Sequence, residues 1–206
     1  MSDDEAALLQ AWRGGDTAAG ERFTRAYYSS ILGFFRLRAA EAADDLTQKT
    51  FLACVEGGSQ IAGENVRAFL FGIARNVLLR HLRDQHRLVE VHHFDAARPQ
   101  SILSPSGVVA KRREHWLLLR ALERLPDDTQ IILGLHYVQG LRSREIADVL
   151  GVTTTSVTTR LSRARDALRK QVEELRAPED ARQSLLSDFE GWARSLAPLV
   201  AGEPSG

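Results

Sequence analysis

The 206 residues predict an all-α fold: two small helical domains joined by a flexible linker, followed by a short C-terminal helical extension. Three observations carry this expectation. Nearly every periodic segment spaces its apolar residues three or four apart, and none alternates convincingly as a strand. The pattern lapses from His92 to about Val109, where Pro99, Ser101, Ser104, Pro105, Ser106 and Gly107 read as an extended linker. Finally, Leu141 to Lys170 has the cap, turn and periodicity of a helix-turn-helix.

Taken in order, Glu5 to Trp12 forms a short helix that Gly14-Gly15-Asp16 breaks. Ala18 to Arg38 follows, with Phe23, Tyr27, Ile31, Phe34 and Phe35 at core spacing. A third helix, Ala42 to Glu56, opens with Asp44 and Asp45, which favour a helix N-terminus electrostatically. The loop Gly57 to Asn65 carries three glycines, and a long helix then runs from Val66 to Arg87. Its inward stripe is expected to be Val66, Leu70, Ile73, Val77 and His81, with Arg67, Arg75, Asn76, Arg83 and Arg87 off it and Arg80 at the flank. Phe69 and Phe71 have the chemistry to stack on unpaired bases, but aromatics at helical spacing are expected in the core.

Beyond the linker, Lys111 to Leu125 reads as a helix, Pro126-Asp127-Asp128 opens the next, and Gly140 closes it. In the helix-turn-helix, Ser143 is the expected N-cap for Ile146, Ala147 and Leu150. Gly151 supplies the left-handed residue of the turn, and Val152 plugs the angle. The second helix starts in the run Thr153 to Ser156 and packs Val157, Leu161, Ala164 and Leu168 inward. Its outer face carries Thr155, Thr159, Ser162, Arg163, Asp166 and Lys170, flanked by Thr158 and Arg165. Small hydroxyls and long cations suit base edges and phosphates in a major groove. The last segment, Ala177 to Gly206, is expected to form one amphipathic helix from Leu185, Leu186, Phe189 and Trp192, packed on a domain or partner and able to mask a DNA-binding face.

Composition is that of an ordinary soluble globular protein, 44% hydrophobic and 26% charged. The single cysteine, Cys54, excludes an internal disulfide framework and a cysteine zinc site. The acidic start lacks the features of a signal peptide and no apolar run reaches spanning length, so a cytoplasmic location without membrane insertion is expected. The net charge of zero conceals a pattern: residues 1–56 hold 6 basic and 9 acidic side chains, 57–110 hold 6 and 4, 111–176 hold 13 and 9, and 177–206 hold 2 and 5. Basic charge collects in two places between acidic ends, as expected of a protein that touches a polyanion at two points.

The acidic helix DDLTQKTFL, the basic helix FLFGIARNVLLRHLR and the run LERLPDDTQIILGLHYVQGLRSREIADVLGVTTTSVTTRLSRAR stand in one order. In that order they resemble the extracytoplasmic-function (ECF) class of the sigma-70 family of bacterial RNA polymerase sigma factors. The resemblance spans about Leu8 to Leu175. It implies that residues 5–90 are sigma region 2, 91–110 a linker, 111–176 sigma region 4 and 177–206 an extension. The implied function is binding core RNA polymerase and directing it to promoter DNA, without catalysis and without a cofactor.

By the same resemblance, Asp44, Asp45, Gln48 and Lys49 would face polymerase, with Lys49 where a glutamate is usual. Loop Gly57 to Asn65 and the start of the following helix would capture a flipped base of the minus-10 element, a step costing about a few kcal/mol. Asn76 would reach into that pocket, since an amide both donates to and accepts from a base edge. Arg67, Arg75, Arg80 and Arg83 would complete the minus-10 surface; Phe69 replaces the usual tryptophan and Arg80 stands where an acid is common. Thr155, Thr158, Thr159, Ser162 and Arg163 would meet the minus-35 element, Thr158 occupying a place often held by Lys or Arg. Control by an anti-sigma factor, or self-inhibition by the C-terminal extension, is the expected regulation.

Other classes fare worse. His81, His86 and His92-His93 lack partners at ligand spacing, so solvated or packing histidines are expected and no metal site. No phosphate loop, nucleophile elbow or paired-histidine motif occurs. A helix-turn-helix regulator that replaces no sigma subunit is the alternative, and would need a ligand pocket or dimer helix. A nucleic-acid enzyme such as a recombinase would need a catalytic cluster that the sequence does not offer.

Overall fold

In a computed structural model, which describes residues 2–57, 65–92 and 113–201, the described chain is helical throughout, without a strand. Four helices come from the N-terminal part: α1 (Ser2–Arg13), α2 (Thr17–Arg36), α3 (Ala43–Glu56) and α4 (Val66–His92). Seven follow: α5 (Arg113–Glu123), α6 (Asp127–Leu133), α7 (Ser143–Leu150), α8 (Thr154–Glu174), α9 (Glu179–Ser187), α10 (Phe189–Arg194) and α11 (Ala197–Ala201). No helix among the described residues is long and apolar enough to cross a membrane.

The turn between α1 and α2 uses Gly15 at φ 97°, after which Asp16 caps α2 by accepting from the Ala19 amide at 3.0 Å. Phe23, Tyr27, Ile31, Phe34 and Phe35 are all buried, as their spacing predicts. Arg13 reaches across to α3, where its Nε and Nη2 donate to the Cys54 carbonyl at 3.0 and 2.8 Å. That carbonyl lies in the last turn of α3, where a cation and its donors are favoured. Burial pushes the Cys54 thiol up to about 11, so it behaves as a small core residue.

Helix α4 departs from the expected stripe. Leu70, Phe71, Ala74, Leu78 and Leu82 are buried, whereas Ile73, Val77 and His81 are only half-buried. The apolar residues nearly encircle the helix because two neighbours cover it: α3 on one side and α7, from the far end of the chain, on another. Phe71 is core as expected, against Phe34 at 5.8 Å; half-buried Phe69 lies under the Arg13 guanidinium at 5.6 Å. The helix runs on to His92, five residues past Arg87. Residues 58–64 of the glycine loop and 93–112, with most of the expected linker and His93, lie outside the described residues.

In the C-terminal part, α6 continues into a π-helical turn, Gly134–Val138, that closes at Gly140 with φ 65°. The N-terminus of α7 corrects one expectation: Arg142, not Ser143, is the cap residue, and its amide donates to the Glu145 carboxylate at 2.9 Å. A carboxylate three residues on can reach back to the cap amide, the second half of a capping box, and this made the serine unnecessary. Gly151 takes φ 64° as expected, and Thr153 caps α8 by accepting from the Ser156 amide at 3.2 Å. Val157, Leu161, Ala164 and Leu168 are buried, joined by Val172.

The extension is three short helices rather than one. Asp188 interrupts the run, and its carboxylate caps α10 by accepting from the Gly191 amide at 3.1 Å. A competing N-cap inside an apolar run restarts the helix in a new direction. Leu185 and Phe189 are buried, Leu186 and Trp192 half-buried.

Candidate nucleic-acid interface

Two helices, α4 and α8, carry the predicted DNA-facing side chains. On α8, Thr155, Thr158, Thr159, Ser162 and Arg163 are all exposed and follow one another at three- and four-residue steps, forming a single outward strip. The Thr158 and Thr159 hydroxyls donate back to the carbonyls of Thr154 and Thr155, both at 3.1 Å. With their protons so engaged, these hydroxyls keep only acceptor lone pairs for a ligand, on side chains that also carry a methyl group. Such a surface matches the amino group of cytosine or adenine and the methyl of thymine in a major groove. Arg163 stands at the C-terminal end of the strip. The flanking cations are differently placed: Arg165 pairs with Glu190 at 3.2 Å, and the Arg169 guanidinium lies over the Phe189 ring at 5.3 Å. Arg160, exposed beside Arg163 at i−3, escaped the sequence reading although it is visible there as a cation one helical step away.

The five residues of α4 separate into two faces. Asn76, Arg80 and Arg83 are exposed at i, i+4 and i+7. Arg67 and Arg75 are half-buried and turned toward the C-terminal helices: Arg67 donates to the Gln139 carbonyl, and Arg75 approaches Asp128 at 3.5 Å. At the start of α4 the Asn65 side chain accepts from the Ala68 amide at 3.0 Å, so this asparagine is a cap.

On α3, Asp44, Asp45, Gln48 and Lys49 are exposed on one side. Lys49 and Asp45 pair at 2.6 Å, each about 60% exposed, which neutralises the unusual lysine locally. Tyr28 donates to Asp44 at 3.0 Å, and this bond raises the tyrosine pKa. Leu52 lies in the same strip at 56% exposure, the one exposed large hydrophobic among the described residues. The sequence reading missed it, because Leu46, Phe51 and Leu52 look equally apolar until α3 is packed. Among the described residues no three His, Cys, Asp or Glu side chains gather as a metal site.

A strip of exposed carboxylates with one exposed leucine, a basic helix and a helix-turn-helix with an open polar face thus occur in one chain. Residues 21–88 match the family model "Sigma-70 region 2", and residues 115–168 match "Sigma-70, region 4". The ECF RNA polymerase sigma factor SigC of Mycobacterium tuberculosis is 30% identical over 174 residues, which cover 81% of this chain and 91% of that protein. The chain belongs to the ECF sigma factors of the sigma-70 family.

Another relative is the RNA polymerase sigma factor YlaC of Bacillus subtilis, 29% identical over 164 residues covering 77% of this chain and 95% of that one. Two solved structures share the fold at 22% identity. One is the sigma factor RpoE in complex with the anti-sigma factor NepR from Bartonella quintana, with TM-score 0.56 over 74% of this chain and 96% of that chain. The other is CnrH in complex with the cytosolic domain of CnrY, with TM-score 0.59 over 84% and 99%. This sigma factor binds core polymerase and directs transcription initiation at promoters. Its relatives are initiation factors, and α5 to α8 fall largely within the residues that match region 4.

Proposed function

We propose that the work is divided as follows. Residues 5–90, as region 2, dock on core polymerase through Asp44, Asp45, Gln48 and Lys49, with Leu52 as the apolar centre of the contact, and meet the minus-10 element through Arg67, Arg75, Asn76, Arg80 and Arg83. Residues 111–176, as region 4, read the minus-35 element with Thr155, Thr158, Thr159, Ser162 and Arg163. Residues 91–110 link them, and 177–206 are an extension. The observation that supports this reading is the pair of outward polar strips on α4 and α8, separate from the acidic strip on α3.

In this reading the chain makes and breaks no covalent bond. Its contribution is binding: phosphate contacts that fix register and base contacts that choose the site. It acts in the cytoplasm, where polymerase and DNA are. An anti-sigma factor is a fitting further partner, because both structural neighbours are sigma factors or their likes held in complexes. The test is transcription from a promoter library by core polymerase with and without this chain. Selection of one promoter class, lost on Asp45→Arg with Leu52→Asp, is the expected result. A helix-turn-helix regulator acting alone would instead bind duplex DNA and leave core polymerase inactive on every promoter.

A further inference from the structure

The C-terminal helices sit on both halves of the molecule at once. On the region 4 side, α9 lies against α5 and α8, and α10 against α5 and the π-helical turn. There Trp192 meets the His115 ring edge-on at 5.1 Å, His115 Nε2 and the Ser195 hydroxyl are 2.6 Å apart, and Glu190 holds Arg165. On the region 2 side, α11 packs on α2, with Val200 buried and its carbonyl accepting from Arg36 at 3.4 Å.

The two halves also touch directly. Leu37, just past α2, shares a small apolar cavity with Leu133 and Gly134 of region 4 and with Ala193 and Leu196 of the extension. Arg38 pairs with Asp127 at 2.5 Å, with only 9% of the arginine side chain exposed. Helix α4 lies along α7, where a Cβ on Gly72 would come within 4.0 Å of the Val149 carbonyl. In this arrangement Arg67 reaches Gln139 and Arg75 reaches Asp128. The α8 strip and the α3 strip stay open.

We propose that residues 177–201 are an intramolecular latch that keeps this sigma factor closed and withholds the Arg67 and Arg75 part of its minus-10 surface, but not its minus-35 surface, from DNA. The inference rests on the assignment of Arg67 and Arg75 to the minus-10 surface. The direct contact between the halves combines two ion pairs and one carbonyl bond with the packing of α4 on α7 and of Leu37 on Leu133 and Gly134. The extension adds apolar burial of its own on both halves, which shifts the balance further toward the closed form. Its two ends are unequal: α9 and α10 bury Ala181, Leu185, Phe189 and Ala193, while α11 is five residues long and reaches region 2 chiefly through Val200. The latch therefore releases at α11 and stays on region 4. Because the α3 strip is open in the closed form, polymerase docks first, and separation of the halves then frees Arg67 and Arg75.

The test uses the full chain and four variants: Val200→Asp, Arg38→Glu, Asp127→Arg and the double swap R38E/D127R. Small-angle scattering reads the radius of gyration. Fluorescence anisotropy reads binding to the single-stranded minus-10 segment and the minus-35 duplex of a promoter selected by reconstituted transcription. Val200→Asp and each single swap are expected to enlarge the free protein and to strengthen single-strand binding about tenfold, as expected when a competent state goes from a small to a dominant fraction. Duplex binding is expected to stay unchanged, and the double swap to restore the compact, weakly binding form. Unchanged size and unchanged single-strand binding in Val200→Asp and both single swaps, with helical content intact, overturn the latch. If Val200→Asp loses helical content, the swap and its reversal decide alone. If no promoter is transcribed with any variant the sigma assignment fails instead, while scattering still reports whether the chain opens.

Discussion

Leu37 occupies the space that a side chain on Gly134 would need: a Cβ built on that glycine would stand 2.7 Å from Leu37 Cδ2. One residue closes α2 within region 2 and the other opens the π-helical turn of region 4, so the absence of a side chain lets one half seat in the other. Gly134→Val is expected to lower stability by about 1–3 kcal/mol, the usual cost of overpacking. Urea unfolding checks this. Because Leu37 is the group displaced, the double variant Leu37→Ala/Gly134→Ala is expected to lose less than the sum of its single changes.

That relationship also marks where the sequence was silent. Gly151, the Thr153 cap and the Val157 to Leu168 stripe were legible because each depends on neighbours within one or two turns. The buried face of α4 was not, since its near-continuous apolar surface fits any stripe until the second neighbour is known. Arg67 and Arg75 look like Arg80 and Arg83 in sequence, and only the position of Gln139 and Asp128, more than fifty residues away, separates them. Asp188 falls inside the apolar run Leu185 to Trp192, and nothing local says whether that run or a cap inside it prevails. The acidic strip on α3 was readable, its Leu52 centre only after Leu46 and Phe51 had been assigned to the core.

The turn of the helix-turn-helix depends on one backbone conformation. At Gly151, φ is 64°, which disfavours a Cβ, although nothing else lies within 4 Å of one. Gly151→Ala is therefore expected to cost about 1–2 kcal/mol through backbone strain alone, seen as a lower urea midpoint with an unchanged m-value. A loss as large as that for a buried leucine, about 2–5 kcal/mol, would show that the turn is packed more tightly than it is here.

His81 gives the α3 to α4 packing a pH dependence. Desolvation lowers its pKa below the ordinary 6.5, and the charge of Lys49 lowers it further, against the smaller opposing effects of Asp45 and Asp84. Above pH 6.5 the ring is neutral in both folded and unfolded chains, and this contribution is fully present. As pH falls below 6.5 the unfolded chain takes up the proton first, so stability declines until the folded ring also protonates. The difference in unfolding free energy between wild type and His81→Gln, followed from pH 7.5 to 5, is expected to shift against the wild type on the acid side. A difference independent of pH would mean that the ring is as free to protonate folded as unfolded.

Arg163 is the side chain on α8 best placed to choose a sequence. It is exposed at the C-terminal end of the strip, while Arg165 and Arg169 are engaged by Glu190 and Phe189. Thr158 and Thr159 beside it offer acceptors and methyl groups, which leaves a fork of donors to Arg163 alone within the strip. A guanidinium that reads guanine bidentately is worth about 1–3 kcal/mol of discrimination. Arg163→Ala is therefore expected to weaken binding to the selected minus-35 duplex by about that amount and to leave binding to a scrambled duplex nearly as it was. The salt dependence separates the alternatives: loss of a phosphate contact lowers the slope of affinity against salt by about one and acts equally on both duplexes. Equal losses would move Arg163 to the backbone and leave sequence choice to the threonine strip.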